Sequence, residues 1–318
     1  MAHTPRVSVI IPTYNVAGCL TRAVDSVLAQ TLKDFEIIII DDASQDNTLV
    51  VATNLAASDS RIRLLPQPMN GGPSAARNIG IDNARGEWIA VLDADDAFAS
   101  DRLLTLLEYA TEAGCEVVAD NLILYDHGAE KEVGRAFHWM APHALTLDNL
   151  LDRDVYMRGN PIGWIKPFYK RDFIERHSIR YPAQYRHAED FYFLATLLLS
   201  DANFMLLPNA GYSYTLRVGS LSRAISPFSA SVPNMASIAA SCDELAQRYR
   251  SKLTKRQLKG LERRKKRFLA GTELDQIVTN VRRKAFVRAG FSAIVRPRGS
   301  LLLVERIILG ALKTIKRS

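Results

Sequence analysis

Glu87-Trp88-Ile89-Ala90-Val91-Leu92-Asp93-Ala94-Asp95-Asp96 is a short apolar run that stops in three carboxylates. A run of this length reads as a strand buried on both faces, as in an α/β sheet. Ligands of open α/β sheets bind beyond the carboxyl ends of the strands, so these acids stand where a site belongs. Crowded carboxylates repel one another unless a cation or a set of donors neutralises them. Hard divalent cations such as Mg2+ and Mn2+ take oxygen ligands, and a metal that also carries a phosphate is the simplest partner. The competing reading is an acidic turn that opens the next helix, with Ser100 or Asp101 as its N-cap.

Upstream, the same layout repeats. Val7-Ser8-Val9-Ile10-Ile11-Pro12-Thr13-Tyr14-Asn15 reads as a strand that ends at its proline, because Pro cannot join a central ladder, and hands Thr13, Tyr14 and Asn15 to the next loop. Leu20, Ala23, Val24, Val27 and Leu28 then fall at helical spacing. Phe35 to Ile40 is a second strand, ending in Asp41-Asp42-Ala43-Ser44-Gln45-Asp46-Asn47-Thr48. A helix from about Thr48 to Ala57 leads to a third strand, Ile62 to Leu65, and then to Asn70-Gly71-Gly72-Pro73-Ser74-Ala75-Ala76-Arg77-Asn78-Ile79-Gly80. Its glycines and proline make a tight loop, and the helix starting near Ser74 offers an anion its amide-rich N-terminus, with Arg77 one turn in. The first hundred residues thus alternate β and α, which predicts a doubly wound, mostly parallel sheet with a Rossmann-like nucleotide half.

Taken together, the Pro12-Tyr14-Asn15 strand end, the Asp41-to-Thr48 loop, the Gly71-to-Gly80 loop and the Asp93-Ala94-Asp95-Asp96 cluster resemble family 2 glycosyltransferases of the GT-A fold, of the bacterial exopolysaccharide, O-antigen or capsule type. The resemblance covers roughly residues 6–222. It implies a nucleotide-sugar donor, most commonly UDP-glucose or UDP-galactose, a divalent metal (Mn2+ or Mg2+) at the Asp-x-Asp motif, and inversion at the anomeric carbon. By the same resemblance the donor site comprises Pro12, Tyr14, Asn15, Asp42, Arg77, Asp93, Ala94 and Asp95. Tyr14 packs on the nucleobase, Asp42 accepts a hydrogen bond from it, and Asp93, Asp95 and Asp96 share ribose and metal duties.

Asp101 to Ala113 reads as an amphipathic helix and Cys115 to Asp120 as a strand, while 128–154 reads as loops and short helices over the acceptor side. The aromatic stretch Asn160 to Lys170 offers Trp164 as a platform for a sugar face, or as a core residue. Tyr185-Arg186-His187-Ala188-Glu189-Asp190-Phe191-Tyr192-Phe193-Leu194 resembles the family's Glu-Asp motif, whose Asp is the catalytic base. An acceptor hydroxyl is a poor nucleophile until a positioned carboxylate takes its proton, and Asp190 fits that duty, with Glu189 beside it a candidate contact for the acceptor or the diphosphate. Otherwise the pair simply caps the helix of Leu194, Leu197 and Leu198. Tyr212 to Ser222 resembles the family's Tyr-x-x-Arg…Ser-x-Ser segment, which implies Arg217 at the departing diphosphate or the acceptor. The Gln-x-x-Arg-Trp motif of processive relatives is missing, so one sugar per acceptor is expected.

Composition narrows the classes. The chain has 318 residues, 47% hydrophobic and 8% aromatic, as a globular protein with a core should. Cys19, Cys115 and Cys242 form neither a metal pattern nor a disulfide framework. With no signal peptide before the first strand and no apolar run of spanning length, a cytoplasmic location is expected. The charge is uneven: residues 251–318 hold 19 Lys and Arg against 4 Asp and Glu (+15), leaving 22 against 30 (−8) for residues 1–250. Residues 1–225 are read as the catalytic domain, with 1–100 as nucleotide half and 101–225 as acceptor half, and 226–318 as a basic helical extension. Leu301, Val304, Ile308, Leu312 and Ile315 form an apolar stripe flanked by cations, the pattern of an anchor on an anionic membrane surface. Packing of that stripe on the catalytic body is the other option. A surface anchor points to a lipid-linked saccharide acceptor. A sugar-phosphate nucleotidyltransferase is disfavoured because its glycine-rich basic loop after the first strand is absent. Nucleic acid is not expected as a partner, since the basic tail carries no recognition motif.

Overall fold

The structure, a computed structural model, describes residues 4–154, 160–185, 188–218, 235–282, 298 and 301. Four parallel strands open the chain: β1 (Val7–Thr13), β2 (Phe35–Asp41), β3 (Ile62–Pro66) and β4 (Trp88–Val91). They lie in the order β3-β2-β1-β4 and are joined by α1 (Leu20–Leu28), α2 (Thr48–Ser58) and α3 (Pro73–Asn83). Every residue of β2 is buried, which explains its unbroken isoleucines: both faces meet apolar neighbours.

β1 does not stop at its proline. It continues through Pro12 to Thr13, pairing Pro12 with Ile40 and Thr13 with Asp41. In a parallel ladder alternate residues face opposite neighbours, and Ile10 faces β4, since its carbonyl accepts from Leu92 N–H. Pro12 therefore also faces the β4 side, where pairing has ended at Ile10, and its missing N–H costs no ladder bond.

Two glycines set how closely this half packs. A Cβ on Gly80 would lie 2.3 Å from Ile10 Cγ2, so α3 rests directly on β1. One on Gly86 would lie 2.5 Å from Ser8 N and 2.7 Å from the Val7 carbonyl carbon, both backbone. Gly86→Ala is accordingly expected to lose about 1–3 kcal/mol of stability, as overpacking does, read as a lower thermal midpoint.

The second half adds β5 (Ala97–Phe98), α4 (Arg102–Ala113), β6 (Val117–Asp126), β7 (Lys131–Arg135) and β8 (His143–Ala144). Then come α5 (Leu147–Arg153), β9 (Phe168–Lys170), α6 (Arg171–Arg176), α7 (Glu189–Leu199) and β10 (Phe204–Thr215). Residues 128–154 are more regular than expected: β6 runs six residues past Asp120 and folds back as a hairpin with β7. β9 is inserted antiparallel between β4 and β6, while β10 runs parallel to β6. Because β9 is reversed, its entry at Lys166-Pro167 lies at the same end as the carboxyl ends of β1, β4, β6 and β10.

The chain forms two compact units, one of residues 1–146 and 163–232, the other of 147–162 and 233–318. The second holds α5, α8 (Met235–Arg248) and α9 (Lys255–Arg282). A Cβ on Gly260 would be 3.0 Å from Leu151 Cδ1, so α5 packs tightly on α9 there. Acids of α5 and α8 meet cations of the basic extension: Arg256 and Arg263 reach Asp152 at 3.0 and 2.7 Å, and Lys265 reaches Asp243 at 2.8 Å. The buried Arg264 pairs with Asp154 at 3.1 Å. No described helix is long and apolar enough to cross a membrane. The stripe beyond Leu301 lies outside the described residues, as do Arg186, His187 and the Ser-x-Ser end of the Tyr212 segment.

Candidate active site

The acidic loop after β4 is shaped by β10. Asp96 Oδ1 accepts from Thr215 N–H and Oδ2 from Tyr212 O–H, both at 2.7 Å. Tyr212 Oη accepts in turn from Asp93 N–H at 3.1 Å, and Thr215 Oγ1 donates to the Asp95 carbonyl at 2.6 Å. Burial, with repulsion from Asp95 and Asp93, pushes Asp96 well above the usual carboxylate range. Both oxygens of Asp96 are thus committed to protein donors, and the side chain is 2% exposed. Asp96 therefore pins the loop to β10.

Asp93 lies between two buried cations. Its Oδ1 is 2.7 Å from Arg77 Nη2 and its Oδ2 is 2.9 Å from Lys166 Nζ. Burial opposes ionisation there, but Lys166 and Arg77 prevail and hold Asp93 below the ordinary carboxylate range. Asp95 is the opposite case, pushed up to about 6 by burial and by Asp93, with no described side chain donating to it. Among the described residues no group of three or more His, Cys, Asp or Glu forms a metal cluster. The donor set still fits a cation, because Asp95 is a hard oxygen ligand without a side-chain partner in a net-acidic loop.

The base candidate comes to the same place. Asp190, in the first turn of α7, has Oδ2 at 2.8 Å from Lys166 Nζ and Oδ1 at 3.4 Å from Arg77 Nη1. Glu189 Oε1 is 3.7 Å from Arg77 Nη1, and its Oε2 is buried without a partner. Burial and Asp190 raise the Glu189 pKa. Arg77 is thereby the hub of three carboxylates, with its guanidinium 5.1 Å from the centre of the Tyr181 ring. Asn78 fixes that ring from the next residue by exchanging two 2.8 Å hydrogen bonds with the Tyr181 backbone.

Lys166 is the residue that sequence reasoning overlooked. The available signal was a lone cation between Ile165 and Pro167-Phe168-Tyr169, an apolar setting in which a lysine requires a partner. Its backbone is held as firmly as its head: Arg102 Nη2 donates to the Lys166 carbonyl at 2.9 Å. Arg102 also grips Asp120 in a fully buried pair at 2.8–3.1 Å, and Asp120 Oδ2 accepts from Gly211 N–H at 2.9 Å.

On the nucleotide side Tyr14 is 46% exposed at the mouth of the β1 loop, free to meet a planar ligand. Asn15 occupies the left-handed region at φ 54° and ties this loop to the β2 loop, its Oδ1 accepting from Gln45 N–H at 2.7 Å. Asp42 already holds two protein donors. Its two oxygens accept the N–H groups of Gly71 and Gly72, each at 2.8 Å, so the carboxylate clamps the glycine loop. The buried oxygen without a partner at this strand end is Asp41 Oδ1. Pro12 lies near the carboxyl end of β1, and Ala94 is buried in the loop after β4. Trp164 has one ring face covered by Tyr214, stacked at 4.9 Å and 10°. Arg217 lies exposed two residues beyond β10.

The model of glycosyl transferase family 2 matches residues 8–176. Succinoglycan biosynthesis protein ExoO of Rhizobium meliloti (strain 1021) is 37% identical over 224 residues, which is 70% of this chain and 64% of that protein. The match therefore spans less than two thirds of that relative's length. The GalNAc(5)-diNAcBac-PP-undecaprenol beta-1,3-glucosyltransferase of Campylobacter jejuni is 40% identical over 129 residues, covering 40% of this chain and 42% of that one. Among solved structures, the mannosyltransferase PcManGT of Pyrobaculum calidifontis, in complex with GDP-Man and Mn2+, superposes with a TM-score of 0.56 at 17% identity. That superposition covers 98% of this chain and 88% of the other, so the GT-A fold is shared. With its β-α-β nucleotide half, acidic loop and family match, the chain belongs to glycosyltransferase family 2.

Proposed function

We propose that the protein moves a single hexose, with inversion, from a nucleoside-diphosphate sugar to a saccharide acceptor. The observation that carries this reading is the meeting of Asp93 and Asp190 at one buried ammonium, 2.9 and 2.8 Å from Lys166 Nζ. The donor loop and the base candidate are thus one side chain apart. Inversion requires the acceptor hydroxyl to attack the anomeric carbon opposite the diphosphate while a carboxylate takes its proton. Asp190 Oδ1 is the atom for that proton, because Oδ2 already accepts from Lys166. The new glycosidic bond forms as the bond to the diphosphate breaks, and its electron pair leaves with the nucleoside diphosphate. A divalent cation at Asp95 would offset the charge that grows on that diphosphate. Asp93 keeps the loop in register, Tyr14 stacks on the base, and Trp164 and Arg217 face the acceptor and diphosphate.

UDP-glucose or UDP-galactose is the proposed donor, and a lipid-linked oligosaccharide of a bacterial surface or exopolysaccharide pathway the acceptor. The undecaprenol-linked acceptor in the Campylobacter relative's name and the succinoglycan role in the Rhizobium relative's name support this. The Mn2+ bound to the mannosyltransferase supports a divalent metal. The basic C-terminal region is proposed to hold the enzyme on the cytoplasmic membrane surface, and flotation with anionic vesicles at low salt, lost at high salt, is the expected result.

A thermal-shift panel of UDP, GDP, CDP and dTDP, each with and without Mn2+, tests the donor site without knowledge of the acceptor. UDP is expected to raise the melting point, and only with metal. Tyr14→Ala should weaken that binding about 5- to 150-fold, the equivalent of the ~1–3 kcal/mol of one base–aromatic stack. Stabilisation by none of the four nucleotides would sink the reading.

A further inference from the structure

We propose that Lys166 is a positioning residue for the transfer: its ammonium ties the base Asp190, through Oδ2, to the donor-side Asp93 and leaves Oδ1, 3.4 Å from Arg77 Nη1, as the oxygen that takes the acceptor's proton. This rests on the glycosyltransferase reading above and deepens it by naming what aims the base.

Burying a lysine is costly unless its charge is met, and Lys166, 4% exposed, is met twice, by Asp93 Oδ2 at 2.9 Å and Asp190 Oδ2 at 2.8 Å. Neutralising Asp93 does not by itself call for it, because Arg77 already lies 2.7 Å from Asp93 Oδ1. What Arg77 does not supply is a short contact to the base: its nearest approach to Asp190 is 3.4 Å, against 2.8 Å for Lys166. A carboxylate on the first turn of a helix can rotate about two side-chain bonds. A short charged bond to one oxygen removes that freedom and fixes the direction of the other.

The backbone is built to place this one head group. β9 enters the sheet in reverse, which brings Lys166, two residues ahead of it, to the site end. There the Lys166 carbonyl accepts from Arg102 Nη2 at 2.9 Å, and Arg102 is clamped in turn by Asp120. Asp120 is braced by Gly211 N–H, at a position where a Cβ would lie 2.7 Å from Asp120 Oδ2. The chain of contacts from Gly211 through Asp120 and Arg102 to Lys166 ends on the base. The main chain that carries the lysine is thus fixed as well as its head group.

The test uses donor hydrolysis, with water in place of the saccharide, followed as release of UDP from UDP-glucose and, in parallel, UDP-galactose in Mn2+. Lys166→Met and Lys166→Gln are compared with Asp190→Asn and with the Lys166→Met/Asp190→Asn double variant, each normalised to folded protein by circular dichroism. The expected result is a kcat about 100-fold lower in both Lys166 variants, the scale of a misplaced catalytic group. The double variant should be no slower than Asp190→Asn alone, because a residue that acts through Asp190 has nothing left to position. Ethylammonium in the buffer should restore part of the activity to Lys166→Ala and none to Asp190→Ala. Wild-type kcat in folded Lys166→Gln or Lys166→Met, or losses that multiply in the double variant, overturns the positioning role while leaving the base intact. Wild-type turnover in Asp190→Asn overturns the base assignment itself, and the role of Lys166 falls with it.

Discussion

Asp190→Asn is expected to cut turnover by about 10²–10⁴-fold, the contribution of a positioned general base, with nucleoside-diphosphate binding changed only a few-fold. The substitution is nearly isosteric, and the amide oxygen can still accept the 2.8 Å hydrogen bond from Lys166. What is lost is an oxygen able to take a proton from the acceptor hydroxyl. Steady-state kinetics check it, with loss in kcat at unchanged donor KM as the signature. Glu189 provides the internal control. Its Oε2 is buried and without a partner, so a base at Glu189 would leave Asp190→Asn active and make Glu189→Gln the severe variant. The opposite ranking is expected, because Asp190 is the acid in short contact with Lys166.

Asp120→Ala should cost about 3–5 kcal/mol of stability, the cost of breaking a buried ion pair from one side. The Arg102 side chain, 1% exposed, would keep its charge and lose its partner, and Gly211 N–H would lose its acceptor. A thermal midpoint lower by roughly 6–20 °C follows at ~2–4 °C per kcal/mol. Asp152→Ala, in contrast, removes exposed contacts to Arg256 and Arg263 and should cost no more than ~1 kcal/mol. A calorimetric comparison of the two variants checks both figures. Near-equal losses would mean that the Arg102–Asp120 pair contributes no more than a surface ion pair does.

Much of the nucleotide half is legible in the sequence because its signals are local. The Val and Ile runs of β1 and β2 are strands whichever partners they find, and Leu20, Ala23, Val24 and Val27 mark the buried face of α1. The Asp93-to-Asp96 cluster, Arg77 and Asp190 are likewise visible as residues, and the structure brings Asp93, Arg77 and Asp190 together. What sequence does not carry is the direction a carboxylate faces. Asp42 turns to the amides of Gly71 and Gly72, and Asp96 to Tyr212 and Thr215, because those donors arrive from elsewhere in the chain. β9 escapes for a related reason. It is three residues long, has no periodicity to read, and becomes a strand only through partners in β4 and β6. Lys166 is hidden with it, since its two carboxylates come from β4's loop and α7.

The reversed strand also sets a clock for synthesis. β4 is complete at Val91 and β6 at Asp126, yet these two are not neighbours: β9 lies between them and is finished only at Lys170. A ribosome adding ~5–20 residues per second needs roughly 2–9 s to travel from Asp126 to Lys170. During that interval the sheet exists as two separate edges, one on each half, and the nascent chain must keep both from pairing with anything else. The edge offered by β4 is only four residues long, and short edges are poor templates for wrong pairing. The same insertion that carries the lysine into the site is therefore the step that joins two independently growing half-sheets into one.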